Sequence, residues 1–215
     1  MPGAHRRTSG PAMMPAVEIG DPDHLYARIL RARRPSGEIR RRTTELGTLL
    51  ARHTRDSVRT WSGPDSRVLA VVILRGGALL YPGFVAMFED ADFCFVGMSR
   101  DAQMRSVRAD YMTPVPQDDY DVVIYLDGVC ATGGTLLETR RLVQKECDGR
   151  YEVAAVISSS ASATRLLREA GVAVVGLSLY ESLKGGLVLP DLGELDAGDL
   201  LSGVGFPGRQ EEPER

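Results

Sequence analysis

The chain is poor in lysine, poor in cysteine, and without a long apolar run, and each shortage removes a class of protein. Only Lys145 and Lys184 stand among its 26 basic residues, a skew of composition that implies no function. Cys94, Cys130 and Cys147 are odd in number and lack any C-x-x-C spacing. That excludes a disulfide framework and a structural zinc site, and it fits free thiols in a reducing cytoplasm. The longest apolar run is Val68 to Leu74, far short of the ~20 residues that cross a bilayer. It reads as a strand, with no membrane partner implied. Arg6 and Arg7 resemble the start of a twin-arginine leader, but Pro11 and Pro15 interrupt the next residues and no apolar stretch appears before Glu18. Residues 1–20 therefore read as a loose, uncleaved arm. With a net charge of −3 and a pI near 5.7, no global attraction to nucleic acid is expected.

What is present suits one soluble globular domain: 215 residues, 43% hydrophobic and 26% charged. At this length roughly 70% of the unfolded chain's surface is buried on folding, so no metal or disulfide staple is required. The domain is expected over residues 21–206, with a polar tail at 207–215. Residues 1–42 carry nine Arg against four acidic groups, which makes either a solvated helix face or an anion-facing or inter-subunit surface. Asp21-Pro22 opens a helix to about Arg33, closed by Pro35. Ile39, Leu46, Leu49 and Leu50 recur at helical spacing and predict a second helix. After Pro64, apolar runs at 68–74, 93–98, 122–126, 153–157 and 172–179 alternate with helical segments at 79–88, 136–145 and 163–170. That alternation predicts an α/β fold, a Rossmann-like, mostly parallel sheet with helices on both faces. The polar stretch from Ser99 to Asp119, with Pro114 and Pro116, is long for a connector and reads as a lid or binding arm.

The most informative segment runs from Val122 to Thr135. A strand ends in Asp127, then Gly128, Val129, Cys130, Ala131, Thr132, Gly133, Gly134 and Thr135 lead into a helix. Thr135 and Glu138 have the spacing of a capping box, which places residues 131–135 at the helix N-terminus. Unpaired amides, the positive end of the helix dipole and two threonine hydroxyls converge there, and two glycines leave room for a tetrahedral anion. The segment is either a phosphate cradle or a tight turn that binds nothing. Neither G-x-x-x-x-G-K-S/T nor G-x-G-x-x-G occurs, which removes a P-loop nucleotidase and a dinucleotide fold. A carboxylate at a strand's C-terminal edge can accept hydrogen bonds from sugar hydroxyls while such a cradle holds that sugar's phosphate.

The run from Asp127 to Thr135 resembles the phosphoribosyl-diphosphate motif of type I phosphoribosyltransferases, and Ala131-Thr132-Gly133-Gly134 resembles the uracil phosphoribosyltransferase branch. Four more segments resemble that family in the family's order: Leu46 to Leu50, Ile73-Leu74-Arg75-Gly76-Gly77, Val96-Gly97-Met98-Ser99-Arg100, and Asp196-Ala197-Gly198-Asp199. The resemblance implies transfer of phosphoribose from 5-phosphoribosyl 1-diphosphate (PRPP) to uracil, giving UMP and pyrophosphate. It implies that Asp127 and Arg100 are catalytic. Arg75, Arg100, Asp127, Gly128, Val129, Cys130, Ala131, Thr132, Gly133, Gly134, Thr135 and Asp196 would bind PRPP. Val188, Asp191, Asp196 and Ala197 would meet the base. Mg²⁺ would arrive on the pyrophosphate rather than in a protein cage, and the partner would be a second copy of the chain.

Departures cluster at the acceptor loop and lid. The family's Ile-Pro-Gly-Leu-Gly-Asp-Ala-Gly-Asp becomes residues 189–199, with two residues inserted and Asp191 in place of a glycine. Its Tyr-Arg-Asn-Glu becomes Ser99-Arg100-Asp101-Ala102, with Arg105 and Arg108 nearby. Two other readings therefore stand beside uracil transfer: a phosphoribosyltransferase for another nitrogen heterocycle, and a non-catalytic sensor of PRPP or a nucleotide.

Overall fold

A computed structural model describes residues 14–20, 37–100, 107–117, 119–184 and 187–188. The helix expected from Asp21 to Arg33 and the tail at 207–215 lie outside these residues. In chain order the elements are β1 (Ala16–Glu18), α1 (Gly37–Ser62), β2 (Val68–Leu74), a 3-10 turn (Gly76–Leu79), α2 (Tyr81–Met87), β3 (Asp92–Arg100) and β4 (Val107–Met112). Next come β5 (Asp119–Cys130), α3 (Gly134–Val143), β6 (Asp148–Ser160), α4 (Ala161–Glu169), β7 (Val172–Glu181), and a short antiparallel pair, β8 (Leu183–Lys184) and β9 (Leu187–Val188).

The main sheet has seven strands in the order β1-β7-β6-β5-β2-β3-β4, parallel throughout except where β4 runs against β3. β2 shows why the fold is α/β. Its side chains are almost all buried, with Val68 and Val72 in the layer under α1 and α2 and Leu69, Val71 and Ile73 in the layer under α3 and α4. A strand covered on both faces must be apolar at every position, which is the continuous run seen in the sequence. Leu46, Leu50 and Phe84 fill one layer; Leu136, Val143, Ala163 and Leu167 fill the other. Gly83 lets α1 and α2 touch backbone to backbone: a Cβ there would stand 2.3 Å from the Gly47 carbonyl carbon. That contact seats the turn after β2 against α1.

From β2 the chain moves outward to β3 and β4, then returns to β5 on β2's other flank and continues to β6 and β7. The C-terminal ends of β2 and β5 therefore flank the point where the order reverses, the place where open parallel sheets form a crevice. Arg75 comes directly after one of these strands and Asp127 lies near the end of the other.

Two expectations are corrected and a third is made more specific. Residues 14–20 are not a loose arm: β1 pairs with Val174–Gly176, and the Arg168 side chain donates to the Met14 carbonyl. Ala16 and Val17 complete an otherwise open edge of β7, and Pro15, which has no amide to donate, stands at the start of the strand. The polar stretch from Ser99 to Asp119 contains a strand. β3 continues to Arg100 and β4 returns antiparallel, pairing Ser99 with Arg108, so the stretch includes a hairpin arm on the edge of the sheet. Finally, β5 does not end at the acid but continues through Asp127 to Cys130, because β6 offers ladder partners as far as Ser159.

Candidate functional site

The site is built at the β2/β5 crevice from two loops in close contact. Arg75 is exposed directly after β2, joined to Leu74 by a cis peptide bond, and its carbonyl accepts from the Ala78 amide at 3.1 Å to start the 3-10 turn. Gly76 and Gly77 stand next because nothing larger fits. A Cβ on Gly76 would lie 2.8 Å from Asp127 Oδ1 and 3.1 Å from the Gly128 nitrogen; one on Gly77 would lie 2.2 Å from the Leu126 carbonyl oxygen. The loop that carries Arg75 thus rests directly on the segment that carries Asp127. Asp127 is half-buried, and its Oδ1 accepts from the Gly128 amide at 2.8 Å, which fixes the carboxylate at the strand end.

Beyond Asp127 the chain forms the expected turn, by a different cap. α3 begins at Gly134 with Gly133 as N-cap at φ +80°, and no side chain caps it. Only a glycine takes that left-handed conformation cheaply. Thr135 is thereby carried into the first helical turn, and Glu138 is held by Arg141 in a bidentate ion pair (2.5 and 2.8 Å), so the capping box predicted from sequence does not form. The placement it supported survives: residues 131–135 do surround a helix N-terminus. Thr132 is exposed, and its Oγ1 accepts from the Gly134 amide at a long 3.4 Å, so an anion seated there could take over that donor. Val129 is half-buried and packs on one core layer, and Cys130 is buried in the other, while both residues remain in the ladder with Ser158 and Ser159.

The other expected residues are distributed unevenly. Arg100 ends β3 three residues beyond Gly97, the partner of Leu74, so its backbone stands on the same edge as Arg75; its side chain lies outside the described residues. The backbone of Val188 belongs to β9, an element that approaches β6, and its side chain is likewise outside. Asp191, Asp196 and Ala197 fall outside the described residues altogether. Among the described residues no group of three or more His, Cys, Asp or Glu is placed to hold a metal ion.

Two groups escaped the sequence reading. Ser160 caps α4, its Oγ accepting from the Ala163 amide at 2.9 Å and donating to the Ala131 carbonyl at 2.6 Å. The signal was available: a serine at a strand end, three residues before Ala163 in an apolar helical pattern. The second is a buried cluster beneath α3. Glu152 accepts from Arg140 (2.6 to 3.0 Å), from Tyr125 Oη at 2.9 Å and from Gln144 at 3.3 Å. Burial and the neighbouring Glu152 carboxylate hold the Tyr125 hydroxyl far above its ordinary range, so it stays a donor. This cluster joins α3, whose N-terminus follows residues 131–133, to β5 and β6, and no local pattern announces it. At the end of β7, Glu181 pairs in register with Ser160; burial, and secondarily Glu18, raise its carboxyl above the usual value.

The uracil phosphoribosyltransferase family model matches residues 28–201. The chain belongs to this family. A uracil phosphoribosyltransferase of Streptomyces griseus subsp. griseus is 33% identical over 205 residues, covering 84% of this chain and 93% of that protein. One from an Arthrobacter species is 31% identical over 189 residues, covering 79% and 88%. In fold, the AQ2163 protein from Aquifex aeolicus superposes with a TM-score of 0.73 at 24% identity, covering 88% of this chain and 98% of that one. Every uracil phosphoribosyltransferase motif read from the sequence, from Leu46 to Asp199, lies inside the family match. No described helix is long and apolar enough to cross a membrane.

Proposed function

We propose that this chain transfers the 5-phosphoribosyl group of PRPP to a ring nitrogen of uracil, giving UMP and pyrophosphate, as a cytoplasmic homodimer in pyrimidine salvage. The observation that carries the reading is the seating of the Arg75–Gly77 loop on Asp127 and Gly128 at the sheet's reversal point, beside a glycine-capped helix N-terminus. The bond from the anomeric carbon to pyrophosphate breaks, the bond to the ring nitrogen forms, and the nitrogen's proton leaves. A sugar that becomes cationic on the way needs three things from the protein. Residues 131–135 anchor the 5′-phosphate through backbone amides and the helix dipole. Asp127 takes the ribose hydroxyls and stabilises the positive charge. Arg75, with Arg100 from the end of β3, takes the departing pyrophosphate by bidentate contacts.

Mg²⁺ bound to PRPP would supply neutralising charge at the pyrophosphate, which Arg75 and Arg100 would hold. Arg100 stands at the far end of β3 in the β3–β4 hairpin, so closure of that arm would deliver the residue and exclude water that would otherwise hydrolyse the activated sugar. Asp196 would stand between donor and base, with Val188, Asp191 and Ala197 around the base. Cys94, Cys130 and Cys147, all buried and none in a disulfide, support a reducing compartment.

The test is pyrophosphate release from PRPP and Mg²⁺ with uracil, beside cytosine, modified uracils and other nitrogen heterocycles. Uracil-dependent turnover supports the reading. Turnover with another base alone moves the acceptor, which the residues 189–199 would then explain. PRPP binding without turnover for any base replaces catalysis by sensing.

A further inference from the structure

The phosphate cradle is a single turn of chain, and its amides can face an anion only if no carbonyl of that turn faces it too. Ala131 carries the carbonyl at issue, two residues before the N-cap. It does not stay free. Ser160, 1% exposed at the end of β6, donates its hydroxyl proton to this oxygen at 2.6 Å, while the same Oγ accepts from the Ala163 amide at 2.9 Å. The register Cys130 to Ser159 brings the two strand ends side by side, and the wall behind the cradle belongs to the same helix start: a Cβ at Gly133 would face Leu166 Cδ2 at 3.4 Å and the Ala163 Cα at 3.8 Å.

We infer that Ser160 is a positioning residue for phosphoribosyl binding: its hydroxyl holds the Ala131 carbonyl away from the anion, so that the cradle presents donors alone. A hydroxyl suits this place because it is donor and acceptor at once. The backbone amide of α4 takes one lone pair, and Ser162 Oγ, 3.0 Å away, can donate to the other, which leaves the Ser160 proton for the shorter bond to Ala131. The inference rests on the reading of residues 131–135 as the seat of the 5′-phosphate.

The test is calorimetric titration of the full chain with ribose 5-phosphate and with PRPP and Mg²⁺, together with the KM for each substrate and kcat. Ser160→Gly removes the donor but keeps most of the cap, since glycine is tolerated at an N-cap. It should weaken both phosphoribosyl ligands about tenfold, as expected for one lost positioning bond, and raise the PRPP KM without moving the uracil KM. Ser160→Ala should weaken them as much and lower Tm further. Ser160→Thr, which restores donor and acceptor, should recover the affinity. Ser159→Ala removes the buried hydroxyl that accepts from Thr164 Oγ1 at 3.0 Å, and should lower Tm with no change in affinity. Wild-type affinity in Ser160→Gly overturns the inference and reduces Ser160 to a helix cap. A wild-type chain that binds neither ligand removes the cradle itself, and the inference with it, and is recognised before any variant is made.

Discussion

Two adjacent glycines at the start of α3 should respond to the same methyl group in opposite ways. Gly133 sits at φ +80°, so alanine there is forced into the left-handed region, at a cost of about 1–2 kcal/mol. The nearest side chain, Leu166, is 3.4 Å from the new Cβ, ordinary contact that adds little. For a chain of this length each kcal/mol moves Tm by roughly 2–4 °C, so Gly133→Ala should melt about 2–8 °C below the wild type. Gly134 is the first residue of α3 with no positive φ, and a Cβ there meets only Thr132 Oγ1, at 3.6 Å. Alanine at that position relieves glycine's entropic penalty, so Gly134→Ala should gain up to about 0.5 kcal/mol and melt at the wild-type temperature or up to about 2 °C above it. Its methyl, however, enters the space beside the Gly134 amide. If that space seats the 5′-phosphate, the loss of one charge-assisted hydrogen bond, about 1.5–3 kcal/mol, weakens PRPP by roughly ten- to a hundredfold. Thermal unfolding without ligand and calorimetric titration with PRPP and Mg²⁺ measure the two effects separately. A Gly134→Ala protein that binds PRPP as tightly as the wild type would refute the placement of the phosphate at residues 131–135.

The other glycine loop has a contrast of its own. Gly77→Ala should fail to fold stably, because its Cβ would meet the Leu126 carbonyl oxygen at 2.2 Å and neither backbone can yield; soluble yield and circular dichroism read the loss. Asp127→Asn should lower kcat about a hundredfold or more while changing PRPP affinity little, since the carboxylate's charge matters most to the cationic sugar; equal turnover removes Asp127 from the chemistry. Glu181 is predicted to be a site of pH-dependent stability. Its folded carboxyl is raised above the unfolded value, so the folded state binds the extra proton between the two values and stability falls as pH rises through that window. Glu181→Gln should therefore raise Tm at neutral pH, and the difference should close as the pH falls towards 4.5; a constant difference at all pH values contradicts the assignment.

Much of this was legible from local pattern. The run Val68 to Leu74 announced a strand buried on both faces, and the Gly133-Gly134 pair announced a turn that needs glycine at its left-handed position, Gly133. Such features need no knowledge of the partner, because burial on both faces and a positive φ act on single residues or short windows. Chain order with these motifs also pointed to the family. Other features depended on what lay alongside. Residues 16–18 became a strand because β7 had an open edge, and β5 ran past Asp127 because β6 extended beside it. Glu138, spaced to cap a helix, was drawn instead to Arg141, because the chain enters α3 through a glycine. The amino-acid sequence by itself determined the layered α/β class and the glycine and acid positions of the candidate site, through hydrophobic period and backbone sterics. Only the tertiary structure decided that Gly76 rests on Asp127, that Ser160 holds Ala131, and that Glu152 gathers Arg140, Tyr125 and Gln144. Those contacts join residues 8 to 51 positions apart, and their energies exist only once the sheet order brings the strand ends together.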